Sequence, residues 1–222
     1  DQMRQCLAKR GQRSLSPINR DILTAAPHHC LAVSLANLGK AAEAEKSFQA
    51  GLKELDHVDA LRLDYARFLF EQKRAVDALH PLNEIVAHDP RNVMAWRLGG
   101  QIALSSSEFL EFARDWTTEA MSHVPDDVIV LTQRAEVLML SEDTATARTL
   151  WEKLWNSARK PQMLAALILC EAAEGIVTYK PEDNKDEIAA SRSFIEWYQK
   201  LFAAHAQKTL TRVMERMAAR SE

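Results

Sequence analysis

Apolar and small residues recur along the chain at an interval close to 34. The stretch Asp59–Asn92 (DALRLDYARFLFEQKRAVDALHPLNEIVAHDPRN) brings small, apolar and proline positions into column when laid over its neighbours. The register starts at Ala25, Asp59, Val93, Val128 and Met163 or the residue beside it, with one extra residue in the third unit. Repetition of this period is the first thing a fold reading has to satisfy. The eighth place of each unit holds Ala32, Ala66, Gly100 and Ala135, and the place that opens the second packed stretch holds Ala44, Ala78, Ala113 and Ala147. Around them stand Leu31, Leu35, Phe48, Tyr65, Leu69, Leu82, Ile85, Trp96, Leu131, Leu138, Trp151 and Leu154, at steps of three, four and seven. That spacing predicts amphipathic helices, two per unit. Small residues in fixed columns let paired helices approach to the near end of their usual separation of roughly 8–10 Å.

The punctuation agrees with helix hairpins. Asp89-Pro90, Val124-Pro125 and Pro161 close successive units, because a proline lacks the donor that would continue the preceding helix. The first unit carries Asp56-His57 at that place. Pro81, inside the second helix of its unit, predicts a kink or a late helix start. Ser105-Ser106-Ser107 lengthens a turn, and realigning by one residue there puts Trp116 at an edge. The reading gives an N-terminal lead-in (1–24), four units (25–58, 59–92, 93–127 and 128–161) and a remainder (162–222). In the lead-in, residues 2–10 predict a short helix, and Ser16 before Pro17 is placed to cap another.

In the remainder, residues 162–174 read as the first helix of a fifth unit with Leu169 in the small-residue place. A loop follows over 176–185. Residues 186–220 then return to helical spacing, with Ile188, Ile195 and Phe202 seven apart. The expected role of this last segment is to cover the end of the stack, as one helix or two split near His205, with a homodimer contact as the second reading.

Composition bounds the chemistry. A chain of 222 residues, 47% hydrophobic and 27% charged, with six Gly and seven Pro, is helix-rich and able to bury a continuous core. A net charge of −3 provides no field that would concentrate a nucleic acid. No stretch reaches the roughly 18 apolar residues a membrane helix needs. Cys6, Cys30 and Cys170 match no metal or redox spacing, which predicts reduced, mostly buried thiols and a cytoplasmic setting. The chain begins without Met, so a piece of a longer protein is the expectation.

Candidate chemistry is thin. Glycines never take a phosphate-cradling spacing, and no His-Glu-X-X-His or Cys-X-X-Cys occurs. Successive helical residues point about 100° apart, so His28, His29 and Cys30 do not share one ion, and packing accounts for them. Cys170 lies in an apolar helix without a neighbouring base. Asp126 and Asp127 stand where a helix begins and suit the positive end of its dipole. No catalytic residue, metal or cofactor is expected.

The columns and the proline-marked turns of Ala25–Glu174, Asp89-Pro90 among them, resemble the tetratricopeptide repeat family. That resemblance implies an all-α solenoid of antiparallel hairpins in a right-handed superhelix, whose first helices line a concave groove for an extended peptide or a partner's helix. Carried onto this chain, the groove side takes His29 and Val33, then Leu63, Arg67 and Phe70, then Met94, Arg97 and Gln101, then Ile129, Thr132, Glu136 and Met139. Arg67 and Arg97 would offer planar donors to a carboxylate, with Phe70 and Met94 supplying apolar contact; the internal alternative pairs the arginines with Asp64, Asp59 or Glu136.

Family members that clamp acidic chaperone tails carry Lys, Asn, Asn, Lys and Arg where this chain has His29, Val33, Asp64, Met94 and Leu98, so that use is not implied. The leading expectation is a non-catalytic scaffold for a protein or peptide partner, without nucleic acid or membrane insertion. In the alternative, Phe109–Ala120 (FLEFARDWTTEA) and Phe194–Lys200 (FIEWYQK) resemble repeat regions attached to bacterial glycosyltransferases. No Asp-X-Asp occurs here, so that catalysis would lie outside these residues.

Overall fold

A computed structural model describes residues 2–9, 26–54 and 58–174. Among these residues every regular element is helical, so the fold is all-α and built of repeating hairpins. The chain forms two compact units, Asp1–Leu98 and Gly99–Glu222.

In the first unit, α1 (Gln2–Lys9) packs on α2 (Ala26–Asn37), and its Arg4 is paired with Glu43. Helix α2 then pairs with α3 (Ala41–Glu54), and α4 (Asp59–Glu71) with α5 (Ala75–His88). Helix α6 (Val93–Ala103) begins in this unit and ends in the next. In the second unit α7 (Leu110–His123) packs on α8 (Val128–Leu140), α8 on α9 (Thr144–Ala158), and α9 on α10 (Pro161–Glu174).

Three hairpins share one turn. Gly39, Lys73 and Glu142 lie in the left-handed region at φ 73°, 65° and 64°. Each donates its N–H to a carbonyl three residues back, and the next residue donates five back, as Arg74 does to Leu69 at 3.0 Å. This closes the orphan carbonyls of the preceding helix and sets the reversal. At the lengthened turn, Ser106 accepts from the Glu108 amide and starts a short 3₁₀ segment, Ser107–Phe109, ahead of α7.

The small residues stand where the helices meet. Ala32, Ala44, Ala66, Ala78, Ala113, Ala135 and Ala147 are each 0% exposed, and Gly100 is buried. In the first unit Phe48 packs between Tyr65 and Phe68, with ring centroids 5.3 and 5.4 Å away. In the second, Leu131, Leu138, Trp151, Leu154, Met163, Leu167 and Cys170 form one cluster, and Ala103, Leu104, Ala113, Val137 and Leu140 another. Burying each large apolar side chain stabilises by about 1.5–3 kcal/mol, so these seams hold the helices together.

Several expectations need correction. Helix α5 begins at Ala75, ahead of Pro81, so the late start does not occur. Pro81 is itself buried among Ala78, Leu82 and Ile85, and this packing holds the helix through the missing donor. Cys30 is exposed, not buried. In α10 the small residues Ala165, Ala166 and Cys170 are buried in the cluster, while Leu169 is only partly buried and packs against it. Trp116 is a core residue, stacked obliquely on Phe112 at 5.5 Å. Asp56-His57, residues 10–25 and the expected covering segment 186–220 with its dimer contact lie outside the described residues.

Gly99 explains the burial of Trp116. A Cβ built on it would fall inside the indole ring, so the helices meet this closely only because position 99 has no side chain. Gly99→Ala should therefore destabilise the second unit by about 1–3 kcal/mol, despite the better helix propensity of alanine. Denaturant titration followed by circular dichroism checks this, and an unshifted midpoint would mean that the ring moves aside without cost.

Candidate partner-binding surface

The first helix of each hairpin spends one face on packing and leaves another toward solvent. On α2 and α4 that second face is organised by Asp64. Its Oδ2 lies 2.5 Å from His29 Nε2, and its Oδ1 accepts a 2.7 Å hydrogen bond from Arg67 Nη1. The internal pairing of Arg67 with Asp64 is thus the arrangement present. It uses one edge of the guanidinium, and the Arg67 side chain remains 49% exposed. Phe70 is partly buried, Met94 is 48% exposed, and Arg97 is half-buried with a partner of its own. Asp64, which stands three residues before Arg67, is the partner that the internal alternative named.

In the second unit Gln101 is exposed, and Ile129 is 44% exposed. Ile129, Thr132 and Glu136 follow one stripe of α8, since seven residues return nearly to the same angle. Asp127 caps this helix, accepting from the amides of Ile129 and Val130 at 3.1 and 3.0 Å, so the two aspartates serve helix initiation and a 3.9 Å contact from Asp126 to Lys153. Thr132 Oγ1 donates to the Val128 carbonyl at 2.7 Å. Burial pushes the Glu136 carboxyl up to about 8. Met139, placed in the groove by the family resemblance, is a core residue: it is 2% exposed and accepts the Trp151 indole N–H on its sulfur at 3.2 Å. Helix α8 is apolar on most of its circumference at that end, so Met139 turns toward α9.

The other candidates resolve into packing. His28 is buried, with its Cβ against the glycine notch at Gly51 and its Nε2 3.2 Å from Glu54 Oε2. His29 turns to Asp64 and Cys30 to solvent, so the three neighbours diverge. Burial raises the Cys170 thiol far above its ordinary range, which leaves it protonated and unreactive. Glu45 bridges α3 to α5 through Arg74 at 2.8 Å, while Asp77 receives the other edge of that guanidinium at 2.7 Å. Among the described residues no helix is long and apolar enough to cross a membrane.

Residues 35–102 match the family model described as tetratricopeptide repeat. No curated protein matches the chain. Among solved structures, TTC0263, a thermophilic TPR protein in Thermus thermophilus, is 16% identical and superposes with a TM-score of 0.50, covering 88% of this chain and 100% of its own. The pilF protein of Pseudomonas aeruginosa is 16% identical with a TM-score of 0.57, over 86% of this chain and 84% of its own. YrrB, described as a TPR protein with an unusual peptide-binding site, is 8% identical with a TM-score of 0.58, over 100% of this chain and 99% of its own. At these identities the likeness establishes the fold, an α-solenoid of helix hairpins.

Proposed function

We propose that this chain, a solenoid of helix hairpins whose residues 35–102 match the tetratricopeptide repeat model, is a non-catalytic scaffold receiving an extended peptide or a partner helix on the exposed face of its first helices. The observation that carries the reading is the Asp64–Arg67 pair. One edge of the guanidinium is fixed internally, and half of the side chain is left at the surface, ready to meet a carboxylate. Met94, exposed on the next first helix, supplies apolar contact of the kind interfaces favour. The peptide-binding site ascribed to YrrB supports the same use of this fold.

The test uses the full chain with a pool of acidic octapeptides. Replacing Arg67 and Arg97 together by alanine should weaken binding of the pool by roughly tenfold or more, because a charged contact is lost at the interface. The helical signal should persist, since an exposed pair such as Arg67–Asp64 contributes only about 0–1 kcal/mol to folding. Unchanged affinity in the double variant would remove these arginines from the site. Incubation with nucleotide sugars should give no turnover, and transfer by the purified chain would overturn the non-catalytic reading.

A further inference from the structure

The carboxylate of Asp64 joins an imidazole on one helix to a guanidinium on another. Its Oδ2 meets His29 Nε2 of α2 at 2.5 Å, and its Oδ1 accepts from Arg67 Nη1 along α4 at 2.7 Å. All three side chains remain partly open to water. Helix α2 packs against α1, α3 and α4, and among the described residues Asp64 is the one charged group from these helices paired with His29. From α3, Glu54 reaches the neighbouring His28 instead, at 3.2 Å, and Arg4 of α1 is paired with Glu43 of α3. With a neutral His29 the charges of Asp64 and Arg67 cancel. With His29 protonated, a single positive charge remains on the face that α2 and α4 leave toward solvent.

We propose that His29, Asp64 and Arg67 couple partner binding to a proton, so that protonation of His29 makes the Arg67 surface a stronger receptor for an acidic peptide. The inference rests on the reading that Arg67 meets a carboxylate of the partner. The carboxylate that steadies Arg67 also offsets its charge and so competes with the ligand. An imidazolium takes Asp64 as its own counter-ion, which leaves the guanidinium to act on the ligand with more of its charge. Histidine is suited to this because imidazoles change charge between about pH 5 and 8, where arginine and the carboxylates of an acidic peptide keep theirs. The coupling is reciprocal: if acid strengthens binding, a bound acidic peptide draws a proton onto His29 by the same factor.

The experiment titrates a fluorescently labelled pool of acidic octapeptides with the full chain and with His29→Gln, by anisotropy at low salt, from about pH 8 down to about pH 5.5. Glutamine keeps an N–H for Asp64 and cannot take up a proton. Wild-type affinity should rise roughly fivefold across this range, the effect of one added charge a few ångström from the ligand in water. His29→Gln should stay helical and hold its high-pH affinity throughout. Calorimetry of the wild type in two buffers of different ionisation enthalpy should show net proton uptake on binding, a readout that needs no variant. Affinity that does not change with pH, the absence of proton uptake, a rise that persists in His29→Gln as titration of His28 would produce, or a helical His29→Gln that no longer binds at high pH would overturn this inference and leave the scaffold reading standing. Failure of the wild type to bind the pool at any pH would overturn both.

Discussion

Trp96→Ala should lower the stability of the first unit by about 3–5 kcal/mol, a large part of what a small domain has. The indole is 1% exposed, and its Nε1 donates to the Pro90 carbonyl at 2.8 Å. It therefore joins the core of α6 to the turn that precedes it. That turn is already organised by Asp89, whose carbonyl accepts from the Asn92 amide at 3.0 Å, and by Asn92, whose side chain accepts from the Ala95 amide at 3.2 Å. Truncation would empty the ring's volume and leave the Pro90 carbonyl without its donor, two separate costs. Trp96→Phe keeps part of the ring's contacts but loses the hydrogen bond and some buried volume, so it should cost less than the alanine variant, about 1–3 kcal/mol. Denaturant midpoints of the three chains give the comparison. An alanine variant that melts like wild type would mean that the ring fills no essential space.

The parts of this fold that were legible in the sequence are those where one residue type suffices to fix geometry. The seven column alanines are all sealed from solvent, because only a small side chain satisfies the close approach, and its recurrence is visible without coordinates. Trp116 was misplaced for the complementary reason. Its burial depends on an absent side chain at Gly99, on another helix, and a stripe drawn along one helix does not contain that information. Met139 failed differently: when Val137, Leu138, Met139 and Leu140 are all buried, periodicity no longer says which faces the groove. In α10, Leu169 and Cys170 differ by a single residue of register, and the packing on α9 selected the cysteine.

The candidate surface was legible in outline only. Arg67 was identified from its place in the repeat, but the state of its charge depends on Asp64, which also meets His29 from α2. Glu136 was named as a surface residue, and nothing in its own sequence separates a hydrated glutamate from a desolvated one. That difference is made by the atoms around it.

Glu136→Gln should make the chain more resistant to unfolding, and the gain should grow with pH. The folded carboxyl titrates near 8 against an ordinary value of 4.5, so it holds its proton more tightly in the folded state. Below pH 4.5 both states are protonated, and the two chains should unfold alike. As pH rises from there to 8, the unfolded wild type ionises first and its stability falls; above 8 both states are charged and the deficit stays constant. Glutamine cannot ionise, so the curves should separate through this window to a difference on the order of 2–4 kcal/mol, allowing for the part of the side chain still open to water. Parallel curves from pH 4 to 9 would show that Glu136 is solvated in the folded chain.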